Sequence, residues 1–430
     1  MEFVMIVKFD KDTVLSFKVM LPLYLPFYNQ GNVNVYYKYE AFDLDPFNLK
    51  AASTSGSPVV VTPNAFFGFL CDEVGGRFAH DGRGNLTVTC PAGQSLYYCE
   101  SCDPYAEWGK YNKIILKDMP RRKNEDFWSG IEYCTWNEQK RWQKERGLES
   151  TQAPLDEKLI YDYMDRIEAL GLPKGKLTID DGWDVETNEK GQRIFGNYIP
   201  NPEKFPDMAR LCRDMTARGF IPGLWFCPFV ITDDCEIAKA HPEVVGSNYH
   251  ADPNFPLRWK YLLDSDILEN YFYDLFKKYI DMGFRKFKLD IAYGYKQDMR
   301  DLLARMYRII KSIEPTVEVE SHIPDIFVSK YCDTVRLNDV SLDPEGKWRG
   351  LTQEHYKVCR YSSPHKILNL DHLGTNTTLP PADKFLEHSK MILALEWGYP
   401  CVSLLPGCYD DETQKDFVEA VNEWCQKTKR

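Results

Sequence analysis

Two patterns of apolar and polar positions divide the chain. Over residues 1–128, short alternating runs occupy 3–9, 13–20, 33–42, 59–62, 86–90, 95–99 and 113–116. Alternation with period two predicts strands, because successive side chains of a strand leave opposite faces. Turn-rich clusters such as residues 75–84 separate the runs. Residues 1–128 therefore read as an N-terminal β-sandwich-like domain, and the polar, basic stretch 120–125 reads as its linker.

From residue 129 the period changes. Short apolar runs at 132–136, 176–181, 221–226, 286–290, 317–321, 334–339, 367–371 and 401–405 alternate with amphipathic stretches. The predicted helices are 156–170, 207–218, 265–282, 297–313, 349–361, 383–398 and 411–429, with a short one near 324–331. Strict alternation of strand and helix implies a parallel sheet. Eight such units within residues 129–430 imply a C-terminal (β/α)8 TIM barrel, which makes the chain an α/β protein. Gly171, Gly219 and Gly283 each stand between a helix and the next strand, where a helix C-cap belongs. They mark the bottom of the barrel, so chemistry is expected at the opposite strand ends.

Composition narrows the class. The 430 residues carry 64 acidic and 53 basic side chains, a net charge of −11. A nucleic-acid binder would present a basic face, so no nucleic-acid partner is expected. The apolar stretch 20–28 is broken by Pro22 and Pro26. It falls short of the ~20 residues of a membrane-spanning helix, so no membrane partner is expected. The N-terminus lacks the basic segment and long apolar core of a signal peptide. The 13 Cys are odd in number and scattered, which suits reduced thiols. A cytoplasmic location is the resulting expectation. Aromatic residues make up 14% of the chain, a fraction that serves cores and sugar-stacking platforms alike.

The strand ends concentrate acids. The second ends in Asp180-Asp181-Gly182-Trp183, the fourth in Lys288-Leu289-Asp290 and the fifth in Glu320-Ser321-His322. The sixth ends in Arg336-Leu337-Asn338-Asp339, the seventh in Asp371-His372 and the first in Trp136. One acid at a strand end is commonly a helix N-cap; acids at five of eight strands exceed what capping requires. Acids converging on one mouth repel one another and raise at least one pKa. The result is an ionised carboxylate beside a protonated one, the pair a glycosidase uses. Lys288 and Asp290 stand two apart on a strand and share a face, so the ammonium favours an ionised, nucleophilic Asp290. The same ring of acids suits a divalent metal, which keeps a metal-dependent isomerase or lyase as a rival. A non-catalytic carbohydrate-binding barrel is the rival outside enzymes. For Trp136 and Trp183 core packing is the alternative use, and for His322 and His372 a structural hydrogen bond. The lone Cys99-x-x-Cys102 is weak as a zinc motif.

The stretch Leu177-Thr-Ile-Asp-Asp-Gly-Trp183 resembles the strand-two signature of the melibiase-type α-galactosidases and raffinose synthases. The resemblance continues through Gly196-Asn-Tyr198, Lys204-Phe-Pro206, Arg218-Gly219 and Gly223-Leu-Trp-Phe226. Phe287-Lys-Leu-Asp290 is similar to the family's Lys-x-Asp, and Asp333-Thr-Val-Arg336 with Asp339 to its sixth-strand segment. The resemblance implies a retaining α-glycoside hydrolase, an α-galactosidase first of all, with Asp290 as nucleophile and Asp339 as acid/base. It implies that Asp180 and Asp181 bind hydroxyls on the far side of the ring from the scissile bond. Lys288 and Arg336 are expected to contact hydroxyls, Arg336 at the 2-position. Trp136, Trp183 and Trp225 are expected as apolar walls, and Glu320 and His322 as further contacts. An α-N-acetylgalactosaminidase, an α-glucosidase and an α-galactosyl transglycosidase share these residues.

Three departures stand out. Cys227-Pro228-Phe229 replaces the family's Glu-Pro-Glu, Ser321-His-Ile-Pro-Asp325 replaces a Cys and Gly-rich run, and no counterpart of the family's β-domain after the barrel is expected. The first two touch the sugar pocket and bear on substrate identity. The expected partner is an oligosaccharide or other glycoside, with no cofactor and no metal; the sequence is compatible with oligomers.

Overall fold

A computed structural model describes residues 3–20, 52–55, 58–71, 76–81, 83–118, 123–248, 259–290, 296–323, 325–337, 342, 346, 348–374 and 379–428. Two four-stranded antiparallel sheets form the N-terminal part. One runs Phe3–Lys8, Ser95–Glu100, Ala65–Phe69, Val59–Thr62, and the other Thr13–Lys18, Asn85–Cys90, Arg77–His80, Ala52–Ser55. Along Asn85–Cys90 every second residue is buried, as period-two alternation requires. Those residues join Phe67, Phe69, Phe78 and Leu96 in one apolar cluster shared by the sheets. The strand expected at 33–42 lies outside the described residues.

The strand expected at 113–116 is instead the end of a helix, Pro104–Ile115. Asp103 caps it, accepting from the backbone N–H groups of Tyr105 and Ala106, and Pro104 occupies its first turn. Trp108 and Tyr111, three apart, bury one face against Phe66. The apolar pair Ile114-Ile115 mimics a strand only when read without that cap.

Eight parallel strands close into a barrel in chain order: Glu132–Cys134, Lys176–Ile179, Ile221–Phe226, Lys286–Leu289, Glu318–Ser321, Thr334–Arg336, Ile367–His372 and Tyr399–Val402. The helix expected after the fifth strand is a single 3-10 turn, Ser329–Tyr331. An additional helix, Trp136–Arg146, follows the first strand, and a three-stranded sheet of Val230–Thr232, Val245–Asn248 and Trp259–Leu262 follows the third. Gly283 ends the helix Leu268–Met282 at φ 111°, a left-handed conformation that a β-carbon would strain.

The barrel interior is charged. Glu132, Lys176, Lys286, Glu318 and Glu320 are all but wholly buried. Barrel interiors are usually filled by branched apolar residues. Here Lys176 Nζ lies 3.1 Å from Glu318 and Lys286 Nζ 2.7 Å from Glu320, with Glu132 also bonded to Lys286. Tyr399 and Asn369 donate to Glu320 at 3.0 and 2.8 Å. Burial of these charges is tolerable because each has a partner. Burial still pulls Lys176 down to about 8, against the attraction of Glu318.

Candidate active site

The top of this charged column is the mouth of the barrel. Asp290 follows the fourth strand, and its backbone N–H donates to the carbonyl of Phe226 at 2.8 Å. Its side chain is 19% exposed, enough to meet a substrate. Trp225 Nε1 donates to Oδ2 at 2.9 Å, and His322 Nδ1 lies 2.8 Å from Oδ1. Burial by itself raises the pKa of Asp290. The imidazole of His322, then Lys288 and Arg336, outweigh it and hold the carboxyl well below the usual carboxylate range. The group is an ionised carboxylate at any moderate pH.

Lys288 does not pair with its strand neighbour first. Its Nζ lies 2.7 Å from Asp180 Oδ2, which also accepts from Cys134 Sγ at 3.0 Å. Burial opposes the ammonium, but Asp180 beside it keeps Lys288 well above the usual lysine range. Asp181 turns the other way. It is held by Arg193 at 2.5 Å and by Gln152 Nε2 at 2.7 Å. Arg193 also reaches Asp184 at 3.0 Å, and burial lifts Asp184 to about 6. Arg336 donates from Nη1 to Asp371 Oδ1 at 2.8 Å and from Nε to His322 Nε2 at 3.0 Å. Asp371 takes a left-handed backbone, φ 67°, an uncommon conformation for a non-glycine residue and one found often at functional sites.

The structure thus brings Asp180, Lys288, Asp290, His322, Arg336 and Trp225 together. Other expected site residues stand elsewhere. Trp183 is wholly buried: its Nε1 donates to the Trp225 carbonyl and its ring packs on Phe226 and Tyr279, so it is a core residue and no sugar wall. Glu320 is wholly buried one layer down and pairs with Lys286, so it meets neither solvent nor Lys288 directly. Trp136 opens its helix half-buried, with Lys140 Nζ 5.0 Å over the ring. Asp339 lies outside the described residues. Sequence reasoning missed Arg193 and Gln152. Both come from connecting segments outside the barrel strands, and no local motif announces them.

Among the described residues, one cluster could hold a metal by residue type. The ligand atoms of Cys134, His372 and Cys401 lie within 4.8 Å of one another, all buried. Burial pushes both thiols up, Cys401 furthest, so they stay protonated. Lys288 and Lys286 stand near them as resident cations and disfavour a third.

The Melibiase family model matches residues 111–298. Among solved structures, the chain is similar to the α-galactosidase TtGalA from Thermus thermophilus in complex with p-nitrophenyl α-D-galactopyranoside. Identity is 18%, over 98% of this chain and 88% of that one, with a TM-score of 0.62. The same enzyme in complex with stachyose gives 17% identity over 97% and 92%, with a TM-score of 0.63. The GH36 α-galactosidase AgaA from Geobacillus stearothermophilus gives 13% over 96% and 62%, with a TM-score of 0.56. At such identities the structural likeness is one of fold. Residues 111–298 are thus similar to the Melibiase family by sequence model, and the chain shares its fold with these α-galactosidases.

Proposed function

We propose that this protein is a retaining α-glycosidase that releases terminal α-galactosyl residues by double displacement. The observation that carries the proposal is Asp290: a carboxylate at the barrel mouth, held ionised, hydrogen-bonded at one oxygen by Trp225 and approached at the other by His322. The family match supports it, as do the complexes of TtGalA with a galactoside and with stachyose.

In the first step Asp290 attacks the anomeric carbon. The glycosidic C–O bond breaks, and the Asp339 carboxyl gives its proton to the leaving oxygen. A covalent glycosyl-enzyme results. In the second step the Asp339 carboxylate takes a proton from water, the water oxygen attacks the same carbon, and the ester to Asp290 breaks. Two inversions retain the configuration. The roles require the two carboxyls to stand about 5–5.5 Å apart, since a gap of about 6.5–9.5 Å would admit water for direct inversion. Asp180 and Lys288 form the polar floor that reads ring hydroxyls.

A panel of aryl α-glycosides (galactoside, N-acetylgalactosaminide, glucoside, xyloside) tests activity and sugar together. The galactoside is expected to turn over fastest, with an α-configured first product and no loss of rate in EDTA. Asp290→Ala and Asp339→Ala should each lower kcat by at least about 1,000-fold. Azide should partly rescue Asp290→Ala as a β-galactosyl azide. An inverted first product from the unaltered enzyme, or full activity in Asp290→Ala, would sink the mechanism.

A further inference from the structure

We propose that His322 is a positioning residue for Asp290, holding the nucleophile's carboxylate in the attacking orientation while keeping Arg336 off it. The inference rests on the glycosidase reading for its kinetic consequences, though its structural core does not.

The ring is 4% exposed and sits directly between Arg336 and Asp290. Arg336 Nε lies 3.0 Å from His322 Nε2. Arginine has donors and no acceptor, so Nε2 must present a lone pair. The ring proton then belongs on Nδ1, the nitrogen 2.8 Å from Asp290 Oδ1. In the structure that N–H lies too far off the line to Oδ1 to form a hydrogen bond, and catalytic contacts of this kind are often poorly aligned without substrate and tighten when it binds. Arg336 is anchored behind the ring by Asp371 at 2.8 Å. Glu320 Oε1 lies 3.6 Å from Nε2 on the side of the barrel interior.

Two consequences follow. The main chain of Asp290 is fixed by Phe226, which leaves only its side-chain torsions to set. Trp225 on Oδ2 and His322 on Oδ1 set them from opposite ends. A misplacement of about 1 Å in a reacting group can cost about 100-fold in rate. The ring also fills the gap through which Arg336 could reach Asp290. A direct guanidinium–carboxylate pair there would be bidentate and strong, and it would occupy the lone pairs that the attack needs.

The experiment compares His322→Leu, His322→Asn and His322→Gln on an aryl α-galactoside. The Asn amide nitrogen falls near the place of Nδ1, whereas the Gln amide nitrogen falls near Nε2. His322→Leu should lower kcat about 100-fold, with KM changed less than about threefold. His322→Asn should recover about tenfold of that loss, and His322→Gln should not. Equal losses in Leu and Asn, tracking a common fall in Tm, would mean a packing role only and overturn the proposal. A second measurement is independent of turnover. Nitrogen-15 spectra of the His322 ring should show a protonated Nδ1 and a bare Nε2, with the Nδ1 resonance moving in Asp290→Asn. A bare Nδ1, or a ring indifferent to Asp290→Asn, overturns the proposal. If the unaltered protein cleaves no α-glycoside, the glycosidase reading falls, and the ring spectra still decide whether His322 holds Asp290.

Discussion

Asp180 and Lys288 are each nearly inaccessible, so neither charge is tolerable alone. Removing one partner strands the other, which typically costs about 3–5 kcal/mol. Lys288→Met should therefore lower unfolding stability by roughly 3 kcal/mol, measured by urea denaturation. Lys288→Met combined with Asp180→Asn should recover more than half of that loss, because no uncompensated charge remains. An additive double variant would show that the pair contributes nothing beyond its members. The identity of this partnership was only half legible in the sequence. Period two places Lys288 on the face of Asp290 and inside the barrel. Which carboxylate the ammonium chooses depends on the distance between neighbouring strands, and that is set by closure of the barrel.

At the scale of elements, the turn after the second strand decides how two adjacent acids divide their work. Gly182 adopts φ 120°, and a β-carbon there would stand 2.9 Å from Gln152 Cβ. The close approach lets Gln152 hold Asp181 at 2.7 Å while Asp180 faces Lys288. Gly182→Ala should lower stability by about 1–3 kcal/mol through backbone strain and the clash. It should also raise KM more than it lowers kcat, because it displaces a binding residue and leaves Asp290 in place. A thermal melt and steady-state kinetics check the two halves. Strand positions were readable because alternation and flanking glycines are local signals. The helix Pro104–Ile115 and the 3-10 turn Ser329–Tyr331 were not: the first is decided by packing of Trp108 and Tyr111, the second by how little chain spans two neighbouring strands.

At the scale of the molecule, buried titratable groups set opposing slopes of stability with pH. Burial pulls His388 down to about 4, and its Nδ1 accepts from the Gly374 N–H at 3.1 Å. A histidine whose folded value is depressed binds fewer protons than the unfolded chain, so stability falls as pH drops from about 6.5 to about 4. Asp184, lifted to about 6, acts the other way: its contribution is present below about 4 and lost as pH rises through about 6. Each shift corresponds to roughly 3 kcal/mol, so the two nearly cancel between pH 4 and 6. His388→Gln should flatten the acid side of the stability curve, and Asp184→Asn should gain on the unaltered protein as pH rises from 4 to 7. Denaturant melts across that range check both signs. The sequence by itself determined the barrel, the end of it that carries the acids, and Asp290 as the acid with a cation two residues before it. Those are consequences of period, chain order and short spacing. The tertiary structure alone decided that Trp183 belongs to the core, that Glu320 serves Lys286, that Arg193 claims Asp181 and that His322 stands between Arg336 and the nucleophile. Such choices are made between strands far apart in the chain, where burial and distance, absent from a linear pattern, select one partner among several of the right charge.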